Sequence, residues 1–317
     1  MQAENIEHVS VLGLGTMGHG IPQTFAVAGC SVTAFDEVEG ARSTALERIR
    51  SNLQQMAAER LFDGSLIDDT LGRITIVEDL EQTVAVAQVV VEAVREDLSV
   101  KQKLFAQLES WISESTILAS NTSTFPTTEI SRAMQHPERA INTHWFNPAH
   151  LVPVVEVVPG QQTSEETTSL TMDTMKRIGK QAVRISREAP GFLVNRVQIA
   201  MLREVLHLWE EGIASAEDID IAIRGSMGFR LAANGPLEIA DFGGLEILLK
   251  VYRELAPEIR SDQEVPIAML DIVNQGHHGL KTGKGFYDYP PQTAERVRHE
   301  RDRRFMALTK LFYSQDG

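Results

Sequence analysis

The apolar, β-branched run Val9-Ser10-Val11-Leu12 passes directly into Gly13-Leu14-Gly15-Thr16-Met17-Gly18, and a helical pattern follows. Few local features restrict a fold more tightly. Gly13 permits the tight turn, Gly15 lets a phosphate group approach the backbone, and Gly18 lets the helix pack closely on the strand. Free N–H groups at the helix start then offer partial positive charge to an anion, with Thr16 and Met17 in the same loop. Asp36 ends a second strand pattern 18 residues after Gly18. A carboxylate there accepts hydrogen bonds from both ribose hydroxyls and repels a 2′-phosphate. Glu37 and Glu39 add negative charge, and the first arginine is Arg42. The expected cofactor is NAD rather than NADP.

The same alternation continues. Strand patterns at 8–12, 31–35, 73–77, 88–92, 116–120 and 140–144 are separated by helical stretches at 17–28, 42–61 and 98–112. Two further strands, at 154–158 and 182–185, flank a helix near 165–178. This predicts a Rossmann-type, doubly wound parallel α/β sheet covered on both faces. Residues 42–71 are too many for a plain crossover and read as an inserted helical excursion. After Ala189-Pro190-Gly191 the strand patterns stop, and helical spacing dominates. The expected division is a nucleotide-binding domain over 1–188 and an all-helical substrate and dimerisation domain over 189–317. The arginine-rich stretch 293–312 reads as a solvated helix.

Composition narrows the partners. The chain has 317 residues, 43% hydrophobic, with 30 basic against 44 acidic side chains. A net charge of −14 argues against nucleic acid as the main partner. No apolar run reaches the roughly 18 residues of a membrane span, and the N-terminus lacks a signal-peptide pattern. The single cysteine, Cys30, excludes an internal disulfide and a cysteine-based metal site. No metal is expected, and the cytoplasm is the expected location.

Four segments carry the chemistry: Ser120-Asn121-Thr122-Ser123, His144-Trp145-Phe146-Asn147-Pro148, Glu156, and Pro190-Gly191-Phe192-Leu193-Val194-Asn195-Arg196. With the glycine loop, with Val91-Glu92-Ala93, and with Lys281-Thr282-Gly283-Lys284-Gly285-Phe286-Tyr287, they resemble the 3-hydroxyacyl-CoA dehydrogenase superfamily over nearly the whole chain. The resemblance implies oxidation of a secondary alcohol. Histidine suits removal of the hydroxyl proton because its ordinary pKa of about 6.5 lies near neutrality. His144 is the implied base, and Glu156 the acid that orients its ring, the logic of a base with its orienter. Alone, each has an ordinary reading: a buried polar histidine, a surface carboxylate, and in Ser123 a helix cap. By resemblance Ser123 and Asn195 hold the substrate oxygen, with Asn147 beside them. Glu92 and Lys101 line the nicotinamide ribose, and Asn121 lies near the nicotinamide. The site is expected where the helical domain begins, and a homodimer is expected.

The chain departs from the acyl-CoA members in two places. After Asn147-Pro148, where those enzymes carry a lysine, it reads Ala149-His150-Leu151-Val152-Pro153, and the stretch 228–236 is longer. Both resemble relatives acting on gulonate, carnitine and pyridine-ring alcohols, and Trp145 and His150 resemble the pyridine branch. No lysine precedes Lys101 to meet coenzyme A phosphates, although Arg42, Arg48, Arg50 and Arg60 could substitute. Arg230 reads either as a bidentate carboxylate clamp or as a helix-end surface charge. The favoured substrate is a small 3-hydroxy acid or related hydroxy compound, with a short 3-hydroxyacyl-CoA as the alternative. Neighbouring dehydrogenases with a similar glycine loop use a lysine early in the helical domain, and none occurs between Lys180 and Lys250.

Overall fold

A computed structural model of the protein describes residues 2–313; Met1 and residues 314–317 lie outside the described residues. Eight strands form one sheet in the order β3-β2-β1-β4-β5-β6-β7-β8. They are β1 (His8–Leu12), β2 (Ser31–Phe35), β3 (Ile74–Ile76), β4 (Val89–Glu92), β5 (Ile117–Ser120), β6 (Ala140–Trp145), β7 (Val154–Pro159) and β8 (Gln181–Arg184). The first six run parallel, as the alternating pattern predicts. β7 is antiparallel to β6 and parallel to β8, so the last two strands run the other way. The expected parallel sheet thus holds for six of its eight strands. The physical reason for the reversal is the link from Trp145 to Val154, too short for a crossover, which takes about a dozen residues.

The apolar strands are buried on both faces, and alternate side chains divide between two cores. Val9, Val11, Val89, Val91, Ala119 and Ile141 pack with Ile21 and Phe25 of helix α1 (Gly20–Val27). Leu12, Val90, Leu118 and Ala140 pack on the other face with Phe105 and Leu108. Each such fully buried aliphatic or aromatic side chain contributes about 1.5–3 kcal/mol. The 42–71 excursion is helix α2 (Glu39–Ala58), a short turn, and α3 (Ile67–Gly72), which pack on each other. α4 (Leu80–Val84), α5 (Leu98–Glu109), α6 (Thr127–Ile130) and α7 (Glu165–Arg177) complete the layers. α1 begins at Gly20 rather than 17, because residues 16–19 are spent on the turn.

The chain divides into two compact units. Among the described residues, the first comprises residues 2–195 with Phe305–Tyr313, and the second Arg196–Arg304. The break thus falls a few residues beyond 188, and part of the C-terminal helix belongs to the first unit. Met306 is buried there, and Lys310 donates to Glu59, just past the end of α2, at 3.0 Å. α8 (Val194–Glu210) begins at the division. It is followed by α9 (Ala216–Ile223), α10 (Phe229–Leu231), α11 (Pro236–Gly243), α12 (Leu245–Leu255), α13 (Ile267–Asn274) and α14 (Pro291–Phe312). Two isolated β-bridges, Gly279 with Lys284 and Lys284 with Asp288, pin the glycine-rich stretch between α13 and α14.

Candidate active site

All the sheet edges that matter lie where β1, β2, β4, β5 and β6 end, the edge at which open α/β sheets bind ligands. A cavity of about 1010 Å³ opens there. The glycine loop forms one wall, and each glycine is constrained differently. A Cβ on Gly13 would sit 2.4 Å from the Ala93 carbonyl oxygen, and one on Gly18 would sit 1.8 Å from that of Gly13. A Cβ on Gly15 would meet nothing within 4 Å, so the backbone there is bare towards the cavity. A pyrophosphate fits such a wall. Thr16 and Met17 border the same space, whereas Gly18 lies behind it as a packing glycine.

Asp36 lies at the far end. Its Oδ2 accepts from Leu14 N at 2.6 Å and its Oδ1 from Val38 N at 2.8 Å. The carboxylate is thereby fixed against the glycine loop, with lone pairs left for a ribose. Arg42 donates to the Asp36 carbonyl at 2.7 Å, and Arg48 to the carbonyls of Leu14 and Ala41 at 2.8 and 2.9 Å. Burial pulls the Arg48 guanidinium below its ordinary pKa, with Asp36 opposing.

Glu92 and Lys101 meet, but behind the wall rather than on it. Lys101 Nζ lies 2.7 Å from Glu92 Oε1, and both side chains are buried. Val94 N and Ser120 Oγ also donate to Glu92, each at 2.7 Å. Lys101 reaches Glu96 at 3.3 Å, and Glu96, unnoticed in the sequence, is the member that borders the cavity. Glu96 accepts from Thr122 Oγ1, from Thr124 Oγ1 at 2.8 Å and from Ser123 N at 3.1 Å. Burial pushes its carboxyl up, yet these hydrogen bonds and the Lys101 ammonium leave it below its ordinary value. Nothing marked Glu96 within the run Arg95-Glu96-Asp97; only the fold separates it from its acidic neighbour, which caps α5.

His144 and Glu156 stand directly opposite each other in the β6–β7 ladder. Opposed residues share a face with Cβ atoms about 4.5–5.5 Å apart, close enough for side chains to join. His144 Nδ1 and Glu156 Oε2 are 2.7 Å apart, and both residues are buried. The other Glu156 oxygen accepts from Leu193 N and Val194 N, at 3.1 and 2.9 Å. The imidazole packs against two aromatic rings, Phe146 at 4.5 Å and Phe192 at 5.5 Å between centroids.

Ser123, Asn121, Asn147 and Asn195 all border the cavity beside His144. Asn121 Oδ1 accepts from Trp145 N at 2.9 Å, and Asn195 Nδ2 donates to the Ser123 carbonyl at 3.2 Å. Asn195 belongs to the first unit. Arg230 belongs to the second, where it is exposed and its Nε donates to the Ser226 carbonyl at 3.4 Å. The first unit therefore gathers every other candidate, with Glu92, Lys101 and Gly18 behind the surface, and not Arg230. Lys180 was also unnoticed. It donates to the carbonyls of Ala149 and Val152 at 2.6 and 2.8 Å and lies 5.3 Å from the Trp145 ring. Burial lowers it from 10.5 to about 7. Among the described residues, no group of three or more His, Cys, Asp or Glu could hold a metal ion, and no helix is long and apolar enough to cross a membrane.

Residues 8–189 match the 3-hydroxyacyl-CoA dehydrogenase NAD binding domain, and residues 191–289 the C-terminal domain of the same family. The chain is 31% identical over 314 residues to 5-formyl-3-hydroxy-2-methylpyridine 4-carboxylate 5-dehydrogenase of Mesorhizobium japonicum, covering 98% of this chain and all of that one. It is 35% identical over 288 residues to 3-hydroxybutyryl-CoA dehydrogenase of Clostridioides difficile, covering 89% and 99%. A crystal structure of the pyridine-carboxylic acid 5-dehydrogenase, described as an NAD+ dependent dismutase, superposes with a TM-score of 0.90 at 29% identity, over 96% and 98% of the two chains. That of (S)-3-hydroxybutyryl-CoA dehydrogenase from Ralstonia eutropha gives 0.73 at 31% identity, over 90% and 100%. The cofactor is NAD, and the chain is an NAD-dependent dehydrogenase acting on hydroxyl groups. It belongs to the 3-hydroxyacyl-CoA dehydrogenase family.

Proposed function

We propose that the protein oxidises the secondary alcohol of a small 3-hydroxy acid or a related hydroxy compound, with His144 as the general base oriented by Glu156. The observation that carries this reading is the buried 2.7 Å contact between His144 Nδ1 and Glu156 Oε2 beside the cavity. A carboxylate is an acceptor only, so Nδ1 carries the proton and Nε2 is left bare to take one. Bound NAD supplies the hydride acceptor. As the substrate carbon gives up its hydride, the hydroxyl proton passes to His144 Nε2 and a carbonyl forms. The resulting imidazolium is stabilised by Glu156, which is already charged and positioned. Ser123 and Asn195 hold the substrate oxygen, with Asn147 beside them. Gly13, Gly15, Thr16 and Met17 take the pyrophosphate, Gly18 allows the close packing behind them, and Asp36 takes the adenosine ribose. Asn121 lies by the nicotinamide, while Glu92 and Lys101 act one layer back by fixing Glu96.

Two observations favour a small substrate over a coenzyme A thioester. Three of the four early arginines are engaged: Arg42 and Arg48 with backbone carbonyls, and Arg50 with Asp68 at 2.7 Å. The similarity to the pyridine-carboxylate enzyme extends over nearly the whole of both chains. That enzyme is named for a formyl group; an aldehyde hydrate presents the same H–C–O–H unit to a base as an alcohol. The helical unit is assigned to substrate binding and to pairing with a second copy, and Arg230 to the substrate carboxylate. Cys30, single and buried, is in keeping with the cytoplasm.

NAD reduction is the test. The panel comprises 3-hydroxybutyrate, gulonate, carnitine, a pyridine carboxylate bearing a hydroxymethyl or formyl group, and 3-hydroxybutyryl-CoA. Turnover of a free acid and little of the thioester is expected. High activity on the thioester alone would replace the small-substrate reading with that of a 3-hydroxybutyryl-CoA dehydrogenase.

A further inference from the structure

We propose that Phe192 is a positioning residue for the His144–Glu156 pair, acting through its ring and through its left-handed backbone. The inference rests on the proposed role of His144 as the base. Phe192 has φ +51°, directly after Gly191 at +75°. A side chain in this region brings its Cβ against the backbone, and such strain persists where the surroundings hold it and the site uses it. Glycine would relieve the strain, so the ring has to serve a purpose that glycine cannot.

Two consequences of that residue converge on the same pair. The ring is 2% exposed and lies 5.5 Å from the His144 ring, tilted by 57°. Phe146 contacts the imidazole at 4.5 Å with the same tilt. Rotation about the last imidazole torsion is intrinsically broad, so one hydrogen bond leaves the ring free to rock about it. Aromatic contacts remove that freedom and hold Nε2 in one direction. The backbone acts on the partner. The left-handed step turns the chain so that the next two amides, of Leu193 and Val194, both reach Glu156 Oε1, at 3.1 and 2.9 Å. That leaves Oε2 for the imidazole. Asn195 then follows at the cavity. A phenylalanine serving only as core would need neither the positive φ nor contact with the base.

The test compares Phe192→Gly, Phe192→Ala and Phe192→Leu. Gly and Ala both remove the ring, but only Gly accepts the left-handed backbone freely, so the Ala variant melts lower. Both lower kcat by about 10–100-fold, with the NAD dissociation constant and substrate KM within about threefold of wild type. Phe192→Leu, which restores apolar packing, recovers part of the loss. A second readout needs no substrate: the proton NMR signal of His144 Nδ1–H, assigned by its loss in His144→Gln. It should be sharp in wild type and in Phe192→Leu, and broadened by exchange with water in Phe192→Gly. A folded Phe192→Gly with wild-type kcat and an unchanged signal overturns the proposal, as does a loss confined to melting temperature or KM. If His144→Gln itself stays active, the reading of the base has failed; if it is inactive while Phe192→Gly is not, only the positioning role has.

Discussion

The two units of this chain bury their side chains very differently. In the first, the apolar strands disappear into cores on both faces of the sheet, and even its charged groups are enclosed: Glu92, Lys101, Arg139, Glu156 and Lys180 are all buried. In the second, the buried apolar side chains among the described residues are Leu206, Ile219 and Pro266. Phe229, Leu237, Phe242 and Ile267 are exposed to between 70% and 81%. Large apolar side chains left this exposed are the material of an interaction surface rather than of a finished exterior. The contrast teaches that the sheet unit encloses its apolar and charged side chains by itself, whereas the helical unit leaves large apolar side chains exposed. A second copy of the chain is the proposed cover, since most soluble oligomers are twofold.

If that contrast is real, substitutions in the first unit should alter chemistry or folding, and substitutions in the second should alter association. The largest effect belongs to His144→Gln, which should lower turnover by about 10²–10⁴-fold and leave NAD affinity nearly unchanged, as read by steady-state kinetics and NAD titration. Retained turnover would remove the base from the preorganised site.

Next comes Lys180. Its ammonium falls from 10.5 in the open chain to about 7 in the folded one. Between those values the unfolded chain holds the extra proton, so this group's contribution to stability rises with pH over that window and is flat below it. Wild type should gain about 3 kcal/mol relative to Lys180→Met between pH 7 and 9.5, in urea melts of both proteins at each pH. Parallel curves for the two proteins would show that the lysine titrates as if exposed.

A smaller effect is expected in the second unit. Wild type should run in sedimentation velocity as a dimer of the 35.2 kDa chain. The pair Leu237→Asp and Phe242→Asp should weaken association by about 2–3 kcal/mol without loss of helical circular dichroism. A monomeric wild type would mean that the exposed faces are covered by something else. The smallest effect is at Asp36, where Asp36→Ser should narrow the preference for NAD over NADP by about tenfold, or 1.4 kcal/mol, in paired kinetic assays.

How far the molecule could be read from its sequence depends on whether a feature is local. The glycine loop and the strands were legible because period and composition report them directly; Val89-Val90-Val91 could be little else than a strand covered on both sides. The antiparallel turn at β7 was signalled by a link too short for a crossover, a matter of length rather than residue type. His144, Glu156, Ser123 and Asn195 were found as a set by resemblance, and the fold brings them to one place. The inward roles of Glu92, Lys101 and Lys180 were not legible. A charged side chain is ordinarily solvated, and only three-dimensional packing shows that Lys101 meets two carboxylates and Lys180 two carbonyls. Phe192 is the clearest instance, since no pattern announces a bulky residue in a left-handed turn.

The pairing of His144 with Glu156 across β6 and β7 has one more consequence. The two side chains are joined by the sheet's own hydrogen-bonding alignment, not by a flexible loop. Displacing either strand by a single residue would send one of the two to the opposite face of the sheet. With His144 as the proposed base, a chain that closes its last strands out of step would emerge folded but inert, and catalytic output would gauge correct strand alignment.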